Sequence, residues 1–508
     1  LQMYENLMQS LTGIHDNSNS LIINFNNLQF SELSIHTFVT EMKKKNHPIF
    51  ENIEITAAAA EGKAIARVAT RVIFIGNAIP GDVADIQITK KQKKFFEGRA
   101  IKFHKYSEKR TLPKCLHFGV CGGCKWQHME YSWQLHYKQQ QVFDSLTRIA
   151  KVEFPAINPI IGSKEIFNYR NRLDFSFSNK KWLTNEEIEG GEEFTDRNAL
   201  GFHIPGTFDK VLDISECHLQ GEISEKIRSF VREFARANNY VFFDIKVQAG
   251  FLRTLTIRTS STGEIMVILQ FFKDQADARE ELMNAIAENF PQITSLIYFI
   301  NPKGNDTFHD LKVNVVKGRD YIFESMENLQ FKIGPKSFYQ TNSTQAYELY
   351  KVTRGFANLN GTENVYDLYT GTGTIALFIS KYAKKVIGIE MIAAAIEDAK
   401  ENAKLNKIDN AEFFAADMKD IFNDAFIANH GQPDVIITDP PRVGMHEDVV
   451  RCMARSGASK IVYVSCNPAS QARDLAILDE KYKIVKVQPV DMFPQTHHVE
   501  NVVLLLLK

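Results

Sequence analysis

The 508-residue sequence contains no apolar run long enough to cross a bilayer; the longest late one, Val502 to Leu507, reads as a terminal strand. A membrane partner is therefore not expected. The chain also lacks any imbalance of charge. Its 60 Lys and Arg stand against 61 Asp and Glu, a net charge of −1, so a nucleic-acid surface has to be a local patch. Internal repeats and low-complexity tracts are missing, which excludes a solenoid. With only six cysteines in a chain this long, a disulfide framework is not expected. The N-terminus carries no signal-peptide pattern, so we expect free thiols and a cytoplasmic location. What the chain does have is length and 44% hydrophobic residues, enough for about two to four domains with cores of their own.

The cysteines are not scattered. Cys115, Cys121 and Cys124 form C-x5-C-x2-C, with Gly119, Gly122 and Gly123 between them to let the backbone fold closely around what the sulfurs hold. Cys217 is placed to supply a fourth thiolate from a distant segment. Four thiolates suit zinc or an iron–sulfur cluster. Zinc more often takes two short C-x2-C knuckles, and one compact triplet with a remote fourth is closer to [4Fe–4S]; spacing alone leaves the two near even.

Organisation changes along the chain. Residues 1–50 carry Asn, Ser and His with weak periodicity, ending in a hinge at Met42–Pro48, and read as a poorly ordered extension. Residues 51–108 alternate as short strands around the turn Pro80-Gly81-Asp82. From Lys90 to Tyr106 basic residues interleave with aromatics, a pattern that suits phosphate neutralisation plus base stacking on a small OB-like barrel. Residues 109–328 mix helices (Trp126 to Arg148, Ala276 to Phe290) with strands, and Arg170 and Arg172 are candidate RNA contacts. Residues 329–508 are Rossmann-like.

In that last region a buried strand leads into the glycine turn Thr370-Gly-Thr-Gly-Thr and a helix. The next strand ends in Glu390, about 20 residues on, where a ribose hydroxyl is held in such folds. Asp417 ends a third strand, placed for an adenine edge, and Asp439 a fourth. With Asp367 these acids lie along the carboxyl edge where open α/β sheets bind ligands. One glycine turn with four acids fits S-adenosylmethionine better than a pyrophosphate-bearing dinucleotide. Cys466 follows an apolar strand in Val-Ser-Cys-Asn-Pro, downstream of Asp439-Pro-Pro-Arg442 and upstream of Glu500. A small buried thiol is the ordinary reading of a lone cysteine. In this company Cys466 reads as a nucleophile and Glu500 as a proton acceptor.

These motifs, in this order, resemble the RNA uracil-C5 methyltransferase family, in particular its subgroup with an N-terminal TRAM barrel and a cluster-binding domain. The likeness runs from about Ile53 to Lys508 on the four-cysteine set, Ser337-Phe-Tyr-Gln340, Asp367-Leu-Tyr-Thr-Gly, Asp439-Pro-Pro-Arg, Ser465-Cys-Asn-Pro and His498-Val-Glu-Asn. It implies a multidomain chain: a TRAM/OB-like β-barrel, a central α+β iron–sulfur domain and a Rossmann-like α/β methyltransferase domain. It implies a [4Fe–4S] cluster on Cys115, Cys121, Cys124 and Cys217, and S-adenosylmethionine contacts from Gln340, Tyr369, Glu390 and Asp439. Cys466 becomes the nucleophile and Glu500 the base of a methyl transfer to uridine C5 in RNA. The expected substrate is 23S rRNA, with tRNA as the alternative, and the expected state is a monomer. Thr370 stands where the family usually has Cys; the substitution is expected to be tolerated because the turn's task is backbone shape.

Overall fold

The computed structural model describes residues 48–191 and 195–508. The expectations for the extension and its hinge lie, up to residue 47, outside the described residues. Among the described residues no helix is long and apolar enough to cross a membrane.

Strands β1 (Ile49–Ala58), β2 (Ala64–Val68), β3 (Arg71–Gly76), β4 (Val83–Lys91) and β5 (Phe95–Lys105) close into a barrel in the order β1-β2-β3-β5-β4. The two-residue period of a strand sends Ile73 and Ile75 of β3, and Ala84, Ile86 and Ile88 of β4, into a fully buried interior. Asp82, buried in the Pro80–Asp82 turn, accepts from the Ile79 and Ser107 amides and from the Arg110 guanidinium at 2.8 and 2.7 Å. That carboxylate fixes the chain as it leaves β5.

A second, mixed sheet follows. It comprises β6 (Arg172–Ser178), β7 (Ala199–His203), β8 (Val211–Asp213), β9 (Leu252–Thr259), β10 (Ile265–Phe271), β11 (Ser295–Ile300) and β12 (Asn314–Gly318) in the order β12-β11-β10-β9-β6-β7-β8. Every residue of β10 is buried, as its apolar run Ile265–Leu269 requires, and the buried Gln270 that follows accepts from Asn301 at 3.0 Å. Helices Glu222–Ala237 and Ala276–Asn289 cover it through Ile227, Val231, Leu282 and Ile286. A hairpin, β13 (Ile322–Met326) with β14 (Leu329–Ile333), leads to the last sheet.

That sheet contains β15 (Asn364–Leu368), β16 (Lys385–Glu390), β17 (Ala411–Ala415), β18 (Val435–Thr438), β19 (Lys460–Ser465), β20 (Tyr482–Val490) and β21 (Glu500–Leu507). The order is β17-β16-β15-β18-β19-β21-β20, parallel through β19, with β21 inserted antiparallel between β19 and β20. The carboxyl ends of five parallel strands and the start of β21 therefore meet along one edge. Strand order reverses between β15 and β18, where such sheets open a ligand crevice.

The helix expected from Trp126 begins five residues later, as Tyr131–Ser145. A helix from Trp126 would bond the Glu130 amide to the Trp126 carbonyl, but that amide donates to the Lys109 carbonyl at 2.9 Å, and the His128 carbonyl accepts from the Thr111 amide at 3.1 Å, so residues 128–130 run as a bridge against 109–111. The helix packs on the last sheet, with Val142 and Leu146 in one core with Tyr366, Leu475 and Val487. Its Lys138 meets Asp491 at 2.5 Å with both side chains fully buried, and Tyr131 donates to the other Asp491 oxygen at 2.8 Å. Losing one partner strands a buried charge, a cost of about 3–5 kcal/mol. The pair anchors the segment that enters β21.

Candidate active site

Local sequence sets each side chain at the sheet edge. After β15, Tyr369 takes φ 65°, and Gly371 and Gly373 take φ 57° and 78°. A left-handed tyrosine is strained, and such strain persists where the surroundings over-determine it. Gly373 has a second reason: a Cβ there would lie 2.9 Å from that of Ala399 and 3.2 Å from the Phe413 ring. Glu390 accepts from the Gly371 and Ile392 amides at 3.3 and 3.0 Å, so the acid braces the turn it faces. Asp417 caps the following helical turn by accepting from the Lys419 amide at 3.0 Å. Pro440 and Pro441 end β18 immediately after Asp439 because neither can donate to a strand ladder.

The Cys466 turn is built the same way. β19 stops at Ser465, Asn467 caps helix Pro468–Leu478 by accepting from the Ala469 amide at 3.1 Å, and Pro468 occupies the first helical turn. Asn467 and Ser470 also donate to the Arg442 carbonyl at 2.9 and 3.0 Å, holding Asp439-Pro-Pro-Arg442 against the cysteine turn. Ser465 pairs with Asn501 across β19 and β21, so Cys466 and Glu500 stand at the same rung of the edge.

One cavity of about 920 Å³ gathers these groups; its lining includes Gln340, Tyr369, Glu390, Asp417, Asp439, Arg442, Cys466 and Glu500. Every residue expected to serve catalysis or hold S-adenosylmethionine thus faces one space, of a size suited to a nucleoside-bearing ligand. Burial pushes the Asp439 carboxyl up, with Asp367 adding to it, and pushes Glu500 up, with Asp439 adding and Arg442 opposing. Two buried carboxyls that repel one another hold a proton between them near neutrality. Burial, Glu500 and Asp439 push the Cys466 thiol up to about 12, while the Arg442 guanidinium beside it pulls it down.

Thr370 does more than shape the turn. Its hydroxyl donates to buried Asp367 at 2.5 Å, partly offsetting the burial that pushes that carboxyl up to about 7. Arg442 lies 3.3 Å from the His498 ring nitrogens, a neighbour that the sequence reading did not identify. Of the two candidate RNA arginines, Arg172 pairs with Asp174 at 3.0 Å and Arg170 lies over the Phe493 ring at 5.4 Å.

The four cysteines line a second cavity, of about 550 Å³, as free, half-buried thiols. They act on one another electrostatically: Cys124, pushed up to about 12 mainly by burial, is raised further by Cys217, Cys121 and Cys115. Among the described residues no three His, Cys, Asp or Glu converge as a set for a single ion. A cubane bonds each thiolate to a different iron, so it needs four thiols around one space and no convergence on one point. Four thiols around one cavity are a donor set that a cluster or a zinc ion can use.

Comparison with known proteins gives a consistent result. Residues 244–508 match the tRNA (uracil-5-)-methyltransferase family and residues 51–101 the TRAM domain. An uncharacterized RNA methyltransferase of Bacteroides thetaiotaomicron is 58% identical over 453 residues, covering 89% of this chain and 100% of the relative. One from Porphyromonas gingivalis is 56% identical over 89% of this chain and 99% of its own. Among solved structures, the Pyrococcus abyssi tRNA (uracil-54, C5)-methyltransferase in complex with S-adenosyl-L-homocysteine superposes with a TM-score of 0.69 and 28% identity, covering 89% of this chain and 100% of that one.

Proposed function

The chain belongs to the tRNA (uracil-5-)-methyltransferase family, and from that premise we propose that it methylates C5 of a uridine in RNA through a covalent Cys466 adduct. The observation that carries the reading is the pairing of Cys466 with Glu500 at one rung of the sheet edge, facing the cavity shared with Gln340, Tyr369, Glu390, Asp417 and Asp439. Those five hold S-adenosylmethionine, which supplies the methyl group that uracil C5 receives. Cys466 adds to C6, and the electron density displaced toward O4 makes C5 nucleophilic. Arg442, the cation beside the thiol, favours its ionised form. Glu500 takes the C5 proton after methylation, and elimination frees the thiolate. The target base has to leave its stack to enter the cavity. We place the barrel at residues 51–108, the cluster domain at 109–328 and the methyltransferase domain at 329–508.

The test is trapping with RNA that carries 5-fluorouridine. Fluorine at C5 cannot leave as a proton does, so the adduct stalls and migrates as a protein–RNA species on a denaturing gel. A fully active enzyme that forms no such species rules the thiol mechanism out.

A base works only when ionised, and Glu500 is held protonated above the usual carboxyl range. Burial pushes Glu500 up to about 8, so release of the methylated adduct is expected to quicken as pH rises, over roughly pH 7 to 9. Asp439→Asn removes one of the charges that raise Glu500 and should move that rise to lower pH. Single-turnover release rates check both; a rate flat across the range assigns the proton to another group.

We further propose that Cys115, Cys121, Cys124 and Cys217 hold a [4Fe–4S] cluster. Protein purified without oxygen should be brown with about four irons per chain, and Cys121→Ser should bleach it and lower the unfolding temperature. Stoichiometric zinc without iron would contradict the assignment. For the RNA, the cluster and barrel together favour 23S rRNA, as in the subgroup this chain resembles. A tRNA is the second reading, favoured by the Pyrococcus abyssi structure, whose own substrate is tRNA. Mapping 5-methyluridine in both RNAs from a strain lacking the gene decides between them.

A further inference from the structure

Between the barrel and the cysteine cavity runs a strap, Lys102 to Leu116, whose composition departs from the rest of the chain. Five cationic side chains stand against one acid, Glu108, in a protein whose net charge is −1. Among the described residues Lys102, Lys105, Lys109 and Lys114 close no ion pair, whereas Arg110 is committed to Asp82. The strap also carries the two most exposed large apolar side chains of the described residues, Leu112 at 92% and Leu116 at 81%, together with Tyr106 at 64%. A single exposed leucine needs no explanation. Three large apolar groups spaced among unpaired lysines on one strap do.

The strap is held in shape. Phe103 and Tyr106 stack at 5.1 Å, and Arg110, fixed on buried Asp82, lies over both rings at 5.1 and 5.2 Å. Lys109 sits over Trp133 at 4.6 Å and Lys114 over Phe167 at 5.1 Å. Tyr106 is therefore braced by Phe103 and Arg110 while staying 64% exposed, so little entropy is lost when something packs on it.

We propose that this strap is a contact strip for single-stranded RNA. The reading rests on RNA being the enzyme's substrate. Lysines neutralise consecutive phosphates, the exposed part of the Tyr106 ring packs on an unpaired base, and Leu112 and Leu116 cover apolar base surface that stacking has left bare. Duplex RNA hides its base faces and would leave the apolar groups unused. Continuity decides against a lipid surface: the strap extends β5 of the barrel matched as a TRAM domain, on a chain whose family acts on RNA.

The probe is a single-stranded oligouridine carrying 4-thiouridine, photocrosslinked to the full-length protein and mapped by mass spectrometry. Crosslinks are expected within residues 102–116. Tyr106→Ala should weaken binding about tenfold or more, the loss expected for one stacked base, and Leu112→Ala should weaken it in the same direction without lowering the unfolding temperature. Lys105→Gln with Lys109→Gln should reduce the slope of log affinity against log salt by about 1.4, for two lost phosphate contacts on a single strand. Crosslinks confined to other barrel strands or the catalytic cavity, or unchanged affinity and slope in the variants, overturn the proposal. So does strap-dependent binding to phosphatidylserine vesicles with no crosslink to RNA. Trapping of 5-fluorouridine RNA, read in parallel, separates the two readings: normal strap crosslinks without trapping sink the mechanism alone, and trapping with unaltered affinity in the variants sinks the strap alone.

Discussion

With Cys466 replaced by alanine, the protein is expected to retain its fold and bind RNA but to form no adduct with 5-fluorouridine RNA and to lose about 10⁴-fold or more in turnover. The size of the loss follows from the chemistry. Uracil C5 does not attack a methyl group until a nucleophile has added at C6, and among the described residues no other thiol lines the catalytic cavity. The fold should survive because the turn is made by its neighbours: Ser465 ends the strand, Asn467 caps the helix and Pro468 starts it. Cys452 is the control. It is 2% exposed in the apolar core, so Cys452→Ala should leave adduct formation intact and cost only packing. Because burial, Glu500 and Asp439 push the Cys466 thiol up to about 12, the opposing Arg442 guanidinium carries a sharp expectation. Without Arg442 the thiolate fraction falls, and adduct formation should slow while cofactor binding holds. Retained turnover in Cys466→Ala would overturn the reading of the whole C-terminal sheet.

Much of that sheet could be read from the sequence because its signals are local. Buried parallel strands are short apolar runs, a glycine turn follows the first within three residues, and Glu390, Asp417 and Asp439 stand at or within two residues of the ends of the next three, so they identify their own edge. Proline pairs and Asn-Pro mark where strands stop. The barrel was legible for the same reason, through the alternation in β3 and β4 and the Pro80–Asp82 turn. What escaped the sequence reading depends on partners far apart in the chain. Lys138 and Asp491 are 353 positions apart, and nothing local to either says that they neutralise one another in the core. The helix begins later than its pattern suggests for a related reason, since residues 128–130 pair with 109–111 on the far side of the cysteine loop. Backbone shape alone makes Thr370 a tolerated change in the turn; its hydroxyl also serves Asp367, which burial would otherwise leave with a poorly supported charge.

Glu500→Gln is expected to separate the reaction into halves. Addition of Cys466 and methylation of C5 both precede removal of the C5 proton, so the variant should complete them and then stop. The product is a methylated RNA–protein adduct, carrying label from the cofactor's methyl group, that persists on a denaturing gel while release slows by about 10² to 10⁴-fold. Glutamine keeps the shape of the side chain at the start of β21, where Asn501 pairs with Ser465, so the edge that presents Cys466 is undisturbed. Glutamine is neutral, as the protonated Glu500 favoured by burial is, so adduct formation itself should not slow. This distinguishes the base from a residue that only supports the fold, whose loss would weaken addition and release together. Normal turnover in Glu500→Gln would pass the role to Asp439, which lines the same cavity and whose carboxyl burial also pushes up. Asp439→Asn would then have to show the labelled adduct that Glu500→Gln did not.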